Sequence, residues 1–503
     1  MSEKSSVPQG TIWEELKSGT ASLGAYLGHL GDPTIRLGVT GLSRAGKTVF
    51  ITGMVHALIS GGRLPGFRLA GEGRLAGARI IPHPDDAVPR FAYEDHLATL
   101  TAPDRAWPTS TRQISALSLN LDFQSRRRAF GGLLGPAGVF GGGLSKLTLD
   151  IVDYPGEWLL DLPLLSKSYA EFSAETLAKA GLGKRVEPFA PFLAALADID
   201  PLAEAEEPVI KRLAETFTAA LRACRAEGRE LSALAPGRFL MPGDLEGAPA
   251  LTFAPLRLTG APVPPQSLAG RMERRYEAYK SKIVRPFFKN HIERIDRQIV
   301  LVDVLGALNG GPEALNDLET ALTDVLAAFR VGGNSLLASI FSPRVTRILF
   351  AATKADHLHY TNHDRLEAIL RVLVRRAHHR AEAAGSPSDS IALAAIRATR
   401  EVMAREKGVE LPCVAGVPVA GEALGNRVFD GETEVAIFPG DLPAAPETIF
   451  RGEAVPLQFL RFRPPVLPPR GAERDKAGAG AGAGFPHIRL DRALEFLLGD
   501  AVQ

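Results

Sequence analysis

Gly41-Leu42-Ser43-Arg44-Ala45-Gly46-Lys47-Thr48 satisfies G-x-x-x-x-G-K-[ST] at every position. Before it, Ile35-Arg36-Leu37-Gly38-Val39-Thr40 reads as a buried strand. After it, Thr48-Val49-Phe50-Ile51-Thr52-Gly53-Met54-Val55-His56-Ala57-Leu58-Ile59 reads as the start of a helix. A strand–loop–helix is what this chemistry needs. Successive backbone N–H groups of the loop and the helix N-terminus point at one place and cradle phosphate oxygens. Gly41 and Gly46 let the chain close, and the backbone of Ser43, Arg44 and Ala45 supplies donors. Lys47 is expected to reach the β- and γ-phosphates, with Mg²⁺ on the Thr48 hydroxyl. In a chain with 50 glycines the competing reading is a chance match, and the flanking strand and helix argue against it.

A P-loop names neither the base nor the task. Leu147-Thr148-Leu149-Asp150-Ile151-Val152-Asp153 runs apolar into Asp153-Tyr154-Pro155-Gly156. An acid at the end of a strand beside the P-loop is where a second Mg²⁺ contact comes from, so Asp153 is expected to be a metal residue. Gly156 completes D-x-x-G and offers an N–H to a γ-phosphate. Alone, that motif is any Asp-led turn. Asp303, ending Ile299-Val300-Leu301-Val302, is the rival acid. For the first switch, Trp107-Pro108-Thr109-Ser110-Thr111 precedes the alternating run 114–123, and Thr111 is favoured over Thr109 as the Mg²⁺-ligating threonine. A simple turn before an edge strand is the competing reading. Glu157 stands where a water-positioning Gln is usual. A carboxylate suits that place poorly, so slow intrinsic hydrolysis or a group supplied from elsewhere is expected.

Thr346-Arg347-Ile348-Leu349-Phe350-Ala351-Ala352 is a further strand, followed by Thr353-Lys354-Ala355-Asp356. This is the [NT]-K-x-D element that reads guanine: the carboxylate accepts from N1–H and the exocyclic amine, a donor pattern adenine lacks. The Lys354 stem would lie along the base. A lone T-K-x-D is usually a charged surface turn; three elements in order at strand ends favour GTP/GDP over ATP. Ala395 through Ala398, with Arg397 and Ala398 nearest the turn, are candidates for meeting the guanine oxygen.

At this point the chain resembles the YcjX family of bacterial P-loop GTPases. The resemblance lies in G-L-S-R-A-G-K-T-V-F-I-T at 41–52, E-G-R-L-A-G-A-R at 72–79, V-P-R-F-A-Y-E at 88–94 and D-Y-P-G-E-W-L-L-D-L-P at 153–163. Q-I-V-L-V-D-V-L at 298–305 and P-H-I-R-L-D-R-A-L-E-F-L-L-G-D at 486–500 extend it over nearly the whole chain. It implies a TRAFAC-type GTPase core with a helical insertion, a stress-associated protein, and a small membrane protein as partner. Many GTPases of that class work as nucleotide-dependent homodimers. None of this follows from composition.

The 503 residues carry 45% hydrophobic side chains, enough for substantial cores and more than one lobe. Lys+Arg 58 against Asp+Glu 57 gives net +1, so no nucleic-acid partner is expected. No apolar run is long enough to span a membrane, and no signal-peptide core follows Met1. Two cysteines, Cys224 and Cys413, exclude a disulfide scaffold and suit a cytoplasmic protein; a peripheral place at the inner membrane, through the partner, is what the resemblance implies.

The expected fold is α/β, P-loop NTPase and G-domain-like: a mixed, mostly parallel sheet flanked by helices. Its strands lie near 35–40, 114–123, 147–153, 299–304, 346–352 and 391–396. The expected organisation is an N-terminal helical segment (1–30), a first part of the G domain (31–164), an α-helical insertion (165–295), a second part (296–400) and a β-rich extension (401–503). That extension carries a Gly/Ala-rich loop and a terminal helix. Placed directly after D-Y-P-G, the insertion would receive any movement of that turn. The basic stretch 271–297 reads first as a solvated helix face, and second as a source of a catalytic arginine or a lipid-facing patch. His357, His359 and His363 read as solvated loop histidines.

Overall fold

The computed structural model describes residues 33–42, 44–109, 113–125, 144–226, 229–260, 262–328, 345–383, 385–406, 408–451, 457–467 and 484–503. Ser43 and Thr111 lie outside the described residues, as do 1–30 and most of the Gly/Ala-rich loop. Seven strands form one sheet: β1 Thr34–Gly41, β2 Leu75–Ile81, β3 Ser115–Phe123, β4 Ser145–Asp153, β5 Arg297–Val302, β6 Arg347–Ala352 and β7 Ser388–Ala392. Their order is β2-β3-β4-β1-β5-β6-β7. β4, β1, β5, β6 and β7 run parallel, and β3 and β2 add antiparallel at one side. This is a P-loop NTPase-like α/β fold.

β2 is a strand that the apolar pattern does not announce. None of its residues is buried, Gly77 interrupts it, and its pairing with β3 shifts register between Leu75 and Gly77. An edge strand of that kind lacks the continuous apolar run by which inner parallel strands are recognised.

The inner strands bury both faces. Leu37, Val39, Ile151 and Leu301 pack with Met54 and Val55 of the Lys47–Ser60 helix and with Leu494 and Leu497 of the Leu490–Leu498 helix. On the opposite face Val152, Val300, Val302 and Phe350 join a core that continues into the helices of 169–290. Between Gly156 and Arg294 every element is helical among the described residues. Aromatic rings fill that region: Phe172 stacks on Tyr276 at 5.1 Å, and Phe253 meets Phe239 edge-on at 4.8 Å. Each such buried ring contributes about 2–3 kcal/mol of burial free energy. Because one apolar core spans the sheet face and these helices, the helical region cannot shift without disturbing β4 and β5.

The basic stretch is not a solvated face throughout. Arg275 donates to Glu207 at 2.6 and 2.8 Å and to Thr252 at 2.6 Å, buried Lys280 donates to the Lys167 carbonyl at 2.8 Å, and Arg297 pairs with Asp500 at 2.8 Å. Those cations brace the fold. Beyond β7, Arg400–Glu406, Val409–Gly416 and Val435–Ile437 form a separate three-stranded antiparallel sheet. Among the described residues no helix is long and apolar enough to cross a membrane.

Candidate functional site

Strand order reverses around β1, whose neighbours are β4 and β5, and a parallel sheet opens a crevice at the carboxyl ends of strands at such a point. Gly41 ends β1, Asp153 ends β4, Asp303 follows β5 and Thr353 follows β6. Beside the ends of β1 and β6 lies a cleft open to solvent, lined by Thr353 but not by Asp153 or Asp303. One end of it is the loop Arg44 to Thr48. Gly46 caps the helix with φ 79°, Arg44 also takes a left-handed φ of 62°, and the Ala45 N–H donates to the Leu42 carbonyl at 3.2 Å, closing the loop. Lys47 opens the helix, and its Nζ sits 3.4 Å from the Gly41 carbonyl, lying back over the loop.

Asp153 pairs in register with Val39 and is buried at 1% exposure, and Thr48 is buried as well. Gly156 comes so close to the P-loop that a Cβ there would lie 1.7 Å from the Gly41 carbonyl oxygen. Only a glycine fits, and the D-Y-P-G turn is thereby fixed against the phosphate loop. Tyr154 donates to or accepts from Thr40 at 2.5 Å, and Gln298 donates to the same hydroxyl at 2.7 Å. Burial raises the Tyr154 pKa. Asp303 is engaged elsewhere: Oδ1 accepts the Gly306 N–H at 3.0 Å and Oδ2 pairs with Lys354.

At the other end of the cleft stand Thr353, Lys354 and Asp356, all lining it. Asp356 is buried; its Oδ2 accepts the Ala398 N–H at 2.9 Å and its carbonyl accepts the Thr399 hydroxyl at 2.5 Å. Ala398 therefore orients the acid. Arg397 turns to Glu401 and to the Thr399 carbonyl, away from the cleft lining. Ala394, Ala395 and Ile396 line it instead, with the Ala394 N–H committed to the Ile488 carbonyl and that of Arg397 to Pro486. Thr109 is described and exposed.

Several lining residues carried no readable signal. Trp107 donates its indole N–H to the Phe462 carbonyl at 2.7 Å, joining segments 355 residues apart, and both line the cleft with Arg461. No local pattern marks such a pairing. His357 packs on Phe462 at 5.8 Å and lines the cleft, and burial lowers its pKa. His359 and His363 are buried, the latter against the Ala355 carbonyl at 2.9 Å. The histidines are thus parts of the packing around T-K-x-D, not solvated; Phe459 and Phe462, which pack on His357, are a hundred residues away in sequence, while His359 and His363 meet local partners.

The helical region grips the turn after Gly156. Trp158 donates to the Met241 carbonyl at 2.8 Å and lies under the Arg238 guanidinium at 3.1 Å. Buried Asp161 accepts from Gly237 N–H (2.7 Å), Arg238 N–H (3.2 Å) and Tyr279 O–H (2.6 Å). Burial outweighs these donors and pushes the Asp161 carboxyl up to about 6. A folded-state pKa above the ordinary 3.8 means that the native state holds this proton more tightly than the unfolded chain. The resulting stability, about 3 kcal/mol, is complete below pH ~4 and is lost as pH rises through ~6. Urea unfolding between those pH values is expected to show this loss, and Asp161→Asn is expected to remove it.

The fold and cleft define a P-loop NTPase-like protein with a helical region bound to the turn after β4. The YcjX-like family model, DUF463, matches residues 35–502, and the chain belongs to that family. It is 39% identical over 482 residues to the Ras-like GTPase YcjX of Escherichia coli (strain K12), covering 94% of this chain and 97% of that protein. To the Ras-like GTPase YcjX of Shewanella oneidensis it is 34% identical over 500 residues, covering 95% and 97%.

Proposed function

We propose that the protein binds guanine nucleotide and hydrolyses GTP to GDP and phosphate as a slow switch. The observation that carries this is one cleft bounded by the phosphate loop at one end and Asp356 at the other, with Gly156 seated on the loop. Backbone N–H groups of 44–47 and Lys47 would hold the phosphates. Asp356, held by Ala398, would accept from the guanine N–H donors, and the Lys354 stem would flank the base. The names of the two relatives support the same chemistry.

A hydroxyl and a carboxylate are hard oxygen donors that suit Mg²⁺, which takes few protein ligands beside phosphates. Thr48 and Asp153 would hold it, and Asp303, committed to Lys354 and Gly306, would not. When bound, the ion offsets charge on the phosphates. Thr111 would join them in the triphosphate state. The organisation into G-domain halves, insertion and β-rich extension belongs to this reading. A small membrane-protein partner, a stress setting and nucleotide-dependent pairing of two copies enter it from the family resemblance alone.

The test is phosphate release from GTP and from ATP by the purified chain with Mg²⁺ and with EDTA. Slow release from GTP, dependent on Mg²⁺ and absent with ATP, is expected. Equal release from ATP, or none from either nucleotide, contradicts the reading.

A further inference from the structure

Two loops that bracket the phosphate end of the cleft each send one charge to the same turn of the helical region. Glu157 follows Gly156 directly, is 4% exposed, and places Oε1 at 2.8 Å from the guanidinium of Arg225, the last residue of the Glu207–Arg225 helix. Arg44 of the phosphate loop lies 3.3 Å from Glu230 just beyond that helix. The signs are crossed: the turn gives a cation to the D-Y-P-G side and an anion to the P-loop side. Arg44 and Arg225 line one small cavity together with Leu42.

The backbone at Glu157 is also fixed from both sides. A Cβ on Gly156 would fall 1.7 Å from the Gly41 carbonyl, and one on Gly237 would fall 1.7 Å from the Glu157 carbonyl. The backbone on either side of Glu157 is thereby held, and its carboxylate meets Arg225, which lines the small cavity with Leu42 and Arg44 of the phosphate loop. An uncompensated carboxylate there would be repelled by a triphosphate. The Arg225 guanidinium cancels that charge while leaving carboxylate oxygen capacity to accept a further hydrogen bond.

We propose that Arg225 is a positioning residue for GTP hydrolysis: paired with Glu157, it holds that carboxylate to accept a hydrogen bond from the attacking water. This rests on the GTP-hydrolysing reading above. In the step, the water oxygen bonds to the γ-phosphorus as the bond from that phosphorus to the bridging oxygen breaks. The bridging oxygen keeps the electron pair and leaves as GDP, and the water proton departs on the released phosphate. Glu157 orients the water and keeps no proton. The residue comes from the helical region, but not from its most basic stretch, where Arg275, Lys280 and Arg297 brace other contacts.

The test is single-turnover hydrolysis of Mg²⁺-GTP, with affinity for a fluorescent GDP measured beside it. Arg225→Met is expected to slow hydrolysis about 100-fold with GDP affinity within about threefold of the unsubstituted chain. Arg225→Lys, which keeps the charge, is expected to recover about tenfold of that rate, and it serves where Arg225→Met does not fold. In a Glu157→Gln background, where no carboxylate needs neutralising, Arg225→Met is expected to cost less than about threefold. An undiminished loss in that background would show that Arg225 meets the phosphates directly and would overturn the proposal, as would an unchanged rate in Arg225→Met. If the unsubstituted chain itself does not hydrolyse GTP, the functional reading falls and this inference with it, an outcome distinct from the other two.

Discussion

The Lys47→Ala variant is expected to fold normally and to lose nearly all phosphate binding. Lys47 is half-buried at the first helical position, and its amine makes one long contact, 3.4 Å to the Gly41 carbonyl. Alanine is the best helix former, so nothing in the local structure resists the change. A lysine reaching two phosphates contributes two charge-assisted hydrogen bonds at about 1.5–3 kcal/mol each, so affinity for GTP should fall by roughly 100- to 10,000-fold. Hydrolysis should disappear with it. Circular dichroism and thermal unfolding unchanged, with GTP no longer retained in a filter-binding assay, is the expected pair of results. Retained affinity would show that the cleft does not take phosphates at this loop.

Gly156→Ala is expected to do the opposite, damaging structure and site together. The added Cβ meets the Gly41 carbonyl oxygen at 1.7 Å and the Leu42 nitrogen at 3.1 Å, both backbone atoms of the phosphate loop. Backbone cannot swing aside as a side chain can, and β1 and β4 are held in register from Thr34↔Thr148 to Val39↔Asp153. The D-Y-P-G turn must therefore move off the loop. Overpacking of this kind costs about 1–3 kcal/mol, and displacement of the turn should slow hydrolysis by at least about 100-fold. Gly46→Ala offers the comparison: it has no atom within 4 Å of the added Cβ and bears only the strain of φ 79°. A Gly156→Ala chain as stable as Gly46→Ala would contradict the packing described.

What could be read in the sequence was what local chemistry dictates. The parallel strands declare themselves as apolar runs because both their faces are covered, and the P-loop, D-Y-P-G and T-K-A-D elements each sit at a strand end. β2 stayed hidden because an edge strand with no buried residue has no such run. The pairs Glu157–Arg225 and Trp107–Phe462 were equally unreadable. They arise from the folding of distant segments onto one another, and each residue alone has an ordinary surface or core role. His357 is packed in the same way, by Phe459 and Phe462 a hundred residues on in the chain. Arg397 was drawn to the base by its position after β7, but Glu401 four residues on claims its guanidinium.

The central claim is that Asp356 reads guanine in the cleft that Lys47 shares. Its most direct test is calorimetric titration of the chain with GTP, GDP and ATP in Mg²⁺, repeated on Asp356→Asn. A site built to meet guanine donors rejects a base lacking them by a large factor, so GTP and GDP should bind at least about 100-fold more tightly than ATP. That preference should vanish in Asp356→Asn. Equal binding of ATP by the unsubstituted chain, or a preference untouched by Asp356→Asn, would contradict the account.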